Sequence, residues 1–384
     1  MRYFRKFIFL TTILFSNFSL AQELHQLNTS VRALGMGNAY VAVVNNIDSM
    51  FYNPAGFAQN SEFNWTILDP KIGISGLEAA SKVADLQTDG GFASALRELY
   101  GEKVAVGASA KTAITTPWFA AAFYDSLDTS LVVNNPAVPE IDANIINDLG
   151  MAFGFGFSIL PAVQLGMAFK RITRTGSRFT LGSSLIGSLD PEAIQDEILR
   201  EGVGYSSDLG FNIAPDLGIA EAVVSFVWRD MGVTSFRSTS DGAEPPPSDQ
   251  DNMILGFAFI LDVGLVHVIP TFEVQHLNRS EVQIGKKVNM GLEIGLPLVD
   301  LRAGFHQGYY TLGVGLNLGI IKFDAATYGV ELGAYPGQIE DRRYVVQFTL
   351  ELGFDANLNF LGGGSGGSGG SGGRGGSRGV KQRR

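Results

Sequence analysis

The sequence contains no cysteine. Disulfides, thiolate metal sites and a lipid-bearing N-terminal cysteine are therefore excluded together. A chain without thiols suits an oxidising compartment, where a stray thiol is a liability. Histidine is scarce as well: His25, His267, His276 and His306 are the only four. None stands four residues from another, as a helical zinc site requires, so no metal and no cofactor are expected. Charged residues make up only 17%. Beyond the N-terminus no run of 18 apolar residues occurs, which excludes membrane-spanning helices.

The few charges are unevenly placed. Of 28 Lys and Arg, three (Arg2, Arg5, Lys6) open the chain and five (Arg374, Arg378, Lys381, Arg383, Arg384) close it. Residues 22–361 hold the other 20 against all 38 Asp and Glu, a net charge of −18. An acidic body lacks the basic face that nucleic acid demands, so no nucleic-acid partner is expected.

Residues 1–21 have the form of a secretory signal. A positive start precedes the apolar run Phe7 to Phe15, and Ser19-Leu20-Ala21 places small residues where cleavage is determined. At the other end, Gly362 to Gly373 is a Gly/Ser run of the kind that behaves as flexible coil. Residues 355–384 are expected to be a disordered basic tail in the periplasm, with anionic cell-wall polymer as a candidate contact.

Between these ends the dominant signal is alternation with period two. Met151, Phe153, Phe155 and Phe157 oppose Ala152, Gly154, Gly156 and Ser158. Val288, Met290, Leu292 and Ile294 oppose Asn289, Gly291, Glu293 and Gly295. Tyr344, Val346, Phe348, Leu350, Leu352 and Phe354 alternate with mostly polar residues, Val345 being the exception. Large residues on one face and small or polar ones on the other, at lengths near 9–11 residues, describe a transmembrane β-strand.

The predicted fold is all-β: a transmembrane antiparallel β-barrel over residues 61–354. Strands are expected near 61–75, 115–124, 128–134, 148–159, 162–175, 203–214, 221–235, 252–261, 265–278, 286–296, 299–306, 309–318, 320–333 and 343–354. That count is fourteen, with twelve or sixteen open. Short connections (Leu160-Pro161, Asp262 to Gly264, Pro297-Leu298) alternate with long ones at 76–114, 135–147, 176–202 and 236–251. This rhythm fits short periplasmic turns and long outer loops. Leu77 to Tyr100 and Asp190 to Arg200 read as helical insertions, the second with Asp190-Pro191-Glu192 as cap and first turn. His276 is expected at the rim, on the large-residue face.

Residues 22–60 precede the first strand and carry the most specific motif. Gly35, Met36 and Gly37 lie in Arg32-Ala33-Leu34-Gly35-Met36-Gly37-Asn38-Ala39-Tyr40, followed by Asp48 and by Asn53-Pro54-Ala55-Gly56-Phe57. Small residues permit close backbone packing, and Asn-Pro initiates a turn whose Asn side chain bonds the chain ahead. A compact apolar segment with built-in turns, placed before a barrel, suits a hatch or plug in the lumen.

This stretch resembles the N-terminal hatch of the FadL-type superfamily, which includes fatty-acid transporters, PorV-type proteins and the TraF-like group. Ser207-Asp208-Leu209-Gly210, Leu301 to Phe305 and Tyr310 to Leu316 extend the likeness towards the PorV-type half. The resemblance implies a bacterial outer-membrane protein, with outer-membrane lipid around it. It also implies porin-like passage of small hydrophobic compounds. The alternatives are a non-conducting surface shuttle or anchor for secreted proteins, and a purely structural role. No ligand contact is assigned.

Enzyme-like matches dissolve on inspection. Gly363-Gly364-Ser365-Gly366-Gly367 fits a nucleophile-elbow pattern but lacks the strand-turn-helix around it. Glu273, Glu293, Glu331 and Glu351 lie on small or polar strand faces, where Lys170, Arg302 or Arg343 could partner them inside a polar lumen. No catalytic residues are assigned.

Overall fold

The computed structural model describes residues 28–60, 62–76, 103–134, 140–182, 199–215, 217–218 and 220–355. The strands form one antiparallel ring of fourteen staves. β1 comes in two runs, Glu62–Leu68 and Lys71–Ser75. β2 is Lys103–Thr116, β3 Phe119–Asn134, β4 Glu140–Leu160, β5 Val163–Gly182 and β6 Arg200–Ile213. β7 is Ala220–Arg229, continued after an excursion by the short run Phe236–Ser238 against β6. β8 is Asn252–Val263, β9 Val266–Val274, β10 Val288–Gly295, β11 Val299–His306, β12 Tyr309–Asn317, β13 Ile321–Glu331 and β14 Glu340–Asp355. Neighbours in sequence are neighbours in the wall, and β14 returns to β1 with Phe354 opposite Phe63, which closes the barrel.

The alternation sorts into two faces as a barrel requires. Phe153, Phe155, Phe157, Met290, Leu312, Val314, Tyr344 and Val346 lie exposed on the outside. Their neighbours Ala152, Asn289, Glu293, Thr311 and Val345 are buried within. An apolar exterior this extensive cannot face water on a monomer, so the fold is a transmembrane one. Val345, an apolar residue among the polar ones on the inner face of its strand, is buried against Val31, Leu34 and Ala326.

Strand positions differ from the sequence reading at one corner. Residues 103–116 form a full strand, not the end of a loop, and 119–134 is one strand rather than two. The two errors offset, leaving the count at fourteen. β2 is hard to read because Ala108, Ala110 and Thr112 interrupt Val104, Val106 and Ile114 on its outer face, so the run of large residues is broken. The connections expected at 135–147 and 176–202 are shorter, because β4 begins at Glu140, β5 runs to Gly182 and β6 starts at Arg200. The insertion expected at 77–100 lies outside the described residues, as do 1–27, the start of the second insertion and residues 356–384 of the tail, whose first residue, Asp355, instead ends β14.

Short connections end β2, β4, β8 and β12, for example Pro117-Trp118 and Pro161-Ala162. On the opposite rim, β11 and β12 are joined by Gln307-Gly308 alone, both at positive φ (50° and 97°), the geometry of a tight hairpin.

Candidate functional site

Residues 28–60 lie inside the ring. A short helix, α1 (Val31–Gly35), is followed by two 3-10 turns, Ile47–Met50 and Pro54–Gln59. Almost every side chain in this segment is buried. Met36, Tyr40, Val41, Phe51, Tyr52 and Phe57 form a core with inner-wall residues such as Ala120, Ala152, Ala168, Val227 and Ile254. The segment thus serves as the hydrophobic core that an empty barrel would lack.

The small inner face of the wall is what lets the backbone in. A Cβ built on Gly210 would lie 2.1 Å from the Asn53 side-chain oxygen, and one on Gly166 would lie 2.2 Å from the Pro54 carbonyl. On the far side, Gly291 and Gly304 press on Met36 and Gly37 in the same way. The plug's own glycines are equally constrained. Gly37 adopts φ +63° and its missing Cβ would stand 2.2 Å from the Met290 carbonyl oxygen. For Gly56 the obstacle is the Val44 carbonyl oxygen at 2.1 Å. Gly35 packs on Gly313.

Polar anchors fix the segment around the circumference. The Asn53 amide nitrogen donates to the Val41 carbonyl and to the Asn212 side-chain oxygen, both at 2.7 Å. Its side-chain oxygen accepts from the Ala55 N–H at 3.1 Å, capping the turn that Pro54 opens. Asn212 in turn donates to Gln164 and accepts from Ser225, tying β5, β6 and β7 to one point. Opposite, Arg32 meets Glu293 through two nitrogens at 2.7 and 2.9 Å, and Arg302 meets the same carboxylate at 2.9 Å. Glu273 accepts the Tyr40 and Val41 N–H groups at 2.8 and 3.0 Å. Thr311 accepts from the Gly37 N–H and donates to the Gly35 carbonyl. Asp48 pairs with Lys111, which also reaches Asp69 at 3.0 Å. Burial pushes the Asp48 carboxyl up, but the Lys111 ammonium outweighs it and holds the group below its ordinary range.

All eight motif residues therefore sit in one continuous plug: Gly35, Met36 and Gly37 against β10 to β12, Asp48 against β2, and Asn53 to Gly56 against β4 to β6 and the plug's own chain. Of the four glutamates, Glu293 meets Arg302, while Glu351 pairs with Lys322. Glu331 instead gathers the N–H groups of Gly333, Gln338 and Ile339, and the Tyr309 hydroxyl. Lys170 pairs with Asp208 and Asp230, and Arg343 with Asp341. Among the described residues no cluster suits a metal ion.

On the side of the long connections, a cavity of about 420 Å³ opens over the plug. Phe51 and Asn38 form part of its floor, with Arg229, Asp230, Gln275 and His276 at one wall. His276 is turned into this space rather than onto the membrane face. Its φ of +54° breaks the strand alternation just past β9, which sends the ring inward. Residues 247–250 of the acidic, Pro-rich connection fold into the same space. Arg174 pins them there: fully buried, it pairs with Asp148 and Asp249 at 2.7 Å each and donates to the Pro247 carbonyl at 2.6 Å. The Phe236 ring lies 4.3 Å from its guanidinium. Sequence reasoning missed Arg174, Lys111 and Asn212. For Arg174 and Lys111 the signal available was a long charged residue on a small-residue face; Asn212 carried none.

Neither a family model nor a curated protein matches the sequence. Among solved structures, the chain is similar to the Pseudomonas putida toluene transporter TodX, with 11% identity and a TM-score of 0.45 over 87% of this chain and 99% of that one. It is similar to the Ralstonia pickettii toluene transporter TbuX, with 10% identity and a TM-score of 0.46 over 84% of this chain and 98% of that one. A Pseudomonas aeruginosa FadL homologue gives 10% identity and a TM-score of 0.44 over 87% and 99%. The likeness is one of outline and transfers no residue's role.

Proposed function

We propose that this protein sits in the bacterial outer membrane and passes small hydrophobic compounds across it. The observation that carries the reading is the plug. Its apolar core and anchors on opposite walls deny solutes the open water column of a general porin. A compound that crosses must displace the plug or leave sideways through the wall, and a sideways exit into lipid suits an apolar molecule. One seam favours such an exit. β1 pairs with β2 at Asn64 to Thr66 and again at Lys71 to Ile74, and pairing lapses over residues 67–70, where Pro70 supplies no N–H.

Proteoliposomes or cells carrying the protein should take up toluene faster than controls, with no gain for a sugar such as arabinose. Because the chain has no native thiol, Thr66→Cys with Ala113→Cys can bridge the edge of the seam, since these residues face each other in the ladder. The bridge should slow toluene uptake, and reduction should restore it. Equal toluene uptake with and without the unmodified protein would end the reading.

A second reading, a surface shuttle or anchor for secreted proteins, draws on a different observation. β3, β4 and β5 span 16, 21 and 20 residues, well beyond the roughly 9–11 a membrane strand needs. They form a wall projecting past the membrane, suited to holding another chain. A secreted protein co-purifying in stoichiometric amount, without toluene uptake, would favour this role.

A further inference from the structure

We propose that the cavity over the plug is a binding site for one compact oxyanion, a carboxylate or a phosphate, held by Arg229. The side chain closes β7 and is 5% exposed. One nitrogen, Nη1, makes a long 3.5 Å hydrogen bond to the Phe51 carbonyl, and the guanidinium lies 5.6 Å from the Tyr52 ring. Nε and Nη2 are buried and have no hydrogen-bond partner among the described residues. A buried guanidinium whose donors lack acceptors is costly unless something supplies them.

The nearby carboxylates Asp230 and Glu273 lie close enough to feel its charge but accept their hydrogen bonds from other groups. Asp230 is taken by Lys170, Ser206 and Thr234. Glu273 is taken by two plug N–H groups and Gln275. The other buried or half-buried guanidiniums at the cavity have partners of their own, Arg279 with Glu281 and Arg343 with Asp341. Arg229 alone among them presents its fork unpaired, and that fork matches the two oxygens of a carboxylate or phosphate. His276 lines the same wall with Nδ1 buried and unpartnered among the described residues. As a neutral ring it can donate one further hydrogen bond to the same ligand. The cavity far exceeds the roughly 30 Å³ a water occupies, which leaves room for an anion together with the body that bears it.

The inference does not rest on hydrophobic passage, and its test is a binding measurement on folded protein in detergent. Sodium phosphate and sodium acetate are titrated separately at constant ionic strength against chloride, by calorimetry and by thermal midpoint. At least one anion should bind saturably to the wild type and raise its midpoint. Arg229→Gln should weaken binding at least tenfold, Arg229→Lys should restore part of it, and Arg200→Gln, an exposed pair with Glu244, should leave it unchanged. Response to acetate alone identifies a carboxylate group, to phosphate alone a phosphate, and to both a general oxyanion site. Heat-modifiable gel mobility checks that each variant is folded. If Arg229→Gln does not fold, Arg229→Lys and the wild type decide. No saturable response to either anion, or equal affinity in the folded Arg229 variants, overturns the proposal. A protein that binds the anion yet takes up no toluene would sink only the transport reading.

Discussion

Asn53 and Asn212 stand amide to amide, 2.7 Å apart, across a sequence separation of 159 residues. That contact joins the turn of the plug to the wall at the strand where Gly210 gives it room. Replacing Asn53 with Leu removes the turn cap and two donated hydrogen bonds in a buried setting. Each orphaned group costs about 1–3 kcal/mol. Ion conductance in planar bilayers should rise from near zero as the plug loosens. Unchanged conductance in a folded variant would show that this segment does not close the lumen.

Gly37 offers a test by bulk instead of polarity. Valine there must adopt a left-handed backbone that β-branched residues avoid, with its Cβ against the Met290 carbonyl. Gly37→Val should unseat α1 and expose residues 28–60 to protease while the heat-modifiable barrel persists. A variant as protease-resistant as the wild type would mean that the wall yields at β10.

Arg174 predicts a separable movement. Arg174→Ala leaves Asp148 buried without its partner, a loss of about 3–5 kcal/mol for a broken buried pair. The connection around Asp249 should then swing out of the cavity. Limited proteolysis near Ser240 to Ala243 should accelerate several-fold, with plug protection unchanged. Identical cleavage rates would show that the connection is held by other contacts.

Acid should loosen the mouth of the cavity through His276. Burial first, then the cations Arg279, Arg229 and Lys287, lower its pKa from 6.5 to about 3. The native state therefore holds the ring neutral while the unfolded chain protonates near 6.5. The stabilisation is whole above that value and declines as the pH falls from 6.5 towards 3. The thermal midpoint should fall between pH 7 and 5, and His276→Gln should flatten that part of the profile. A variant with the wild-type slope would assign the effect elsewhere.

What was legible in the sequence was what repeats. The wall's two faces could be read because Phe153, Phe155 and Phe157 recur at period two, and any residue between them must face inward. The plug motif was legible because glycines at 35, 37 and 56 and the Asn53-Pro54 turn answer local backbone demands. β2 escaped because alanine and threonine blur its outer face. His276 was misplaced because a single positive φ reverses the side a period assigns. Arg174 and Asp249 lie 75 residues apart and meet only after the connection folds inward, which no local pattern encodes. Arg229 falls inside the run expected as strand 221–235, and its unpaired donors exist only in three dimensions.

The plug touches the wall nearly all the way round, from Lys111 on β2 through Asn212 on β6 to Glu293 on β10 and Gln347 on β14. It also leads directly into β1, one side of the closing seam with β14. A segment tethered at the seam and gripped on every side is hard to slide into a finished cylinder. The order of assembly follows: the growing sheet curls around its own leading segment, and the last strand shuts the ring with the contents already inside. Contacts that span 261 and 316 residues must wait for that final step, so closure should be slow and nearly all-or-none.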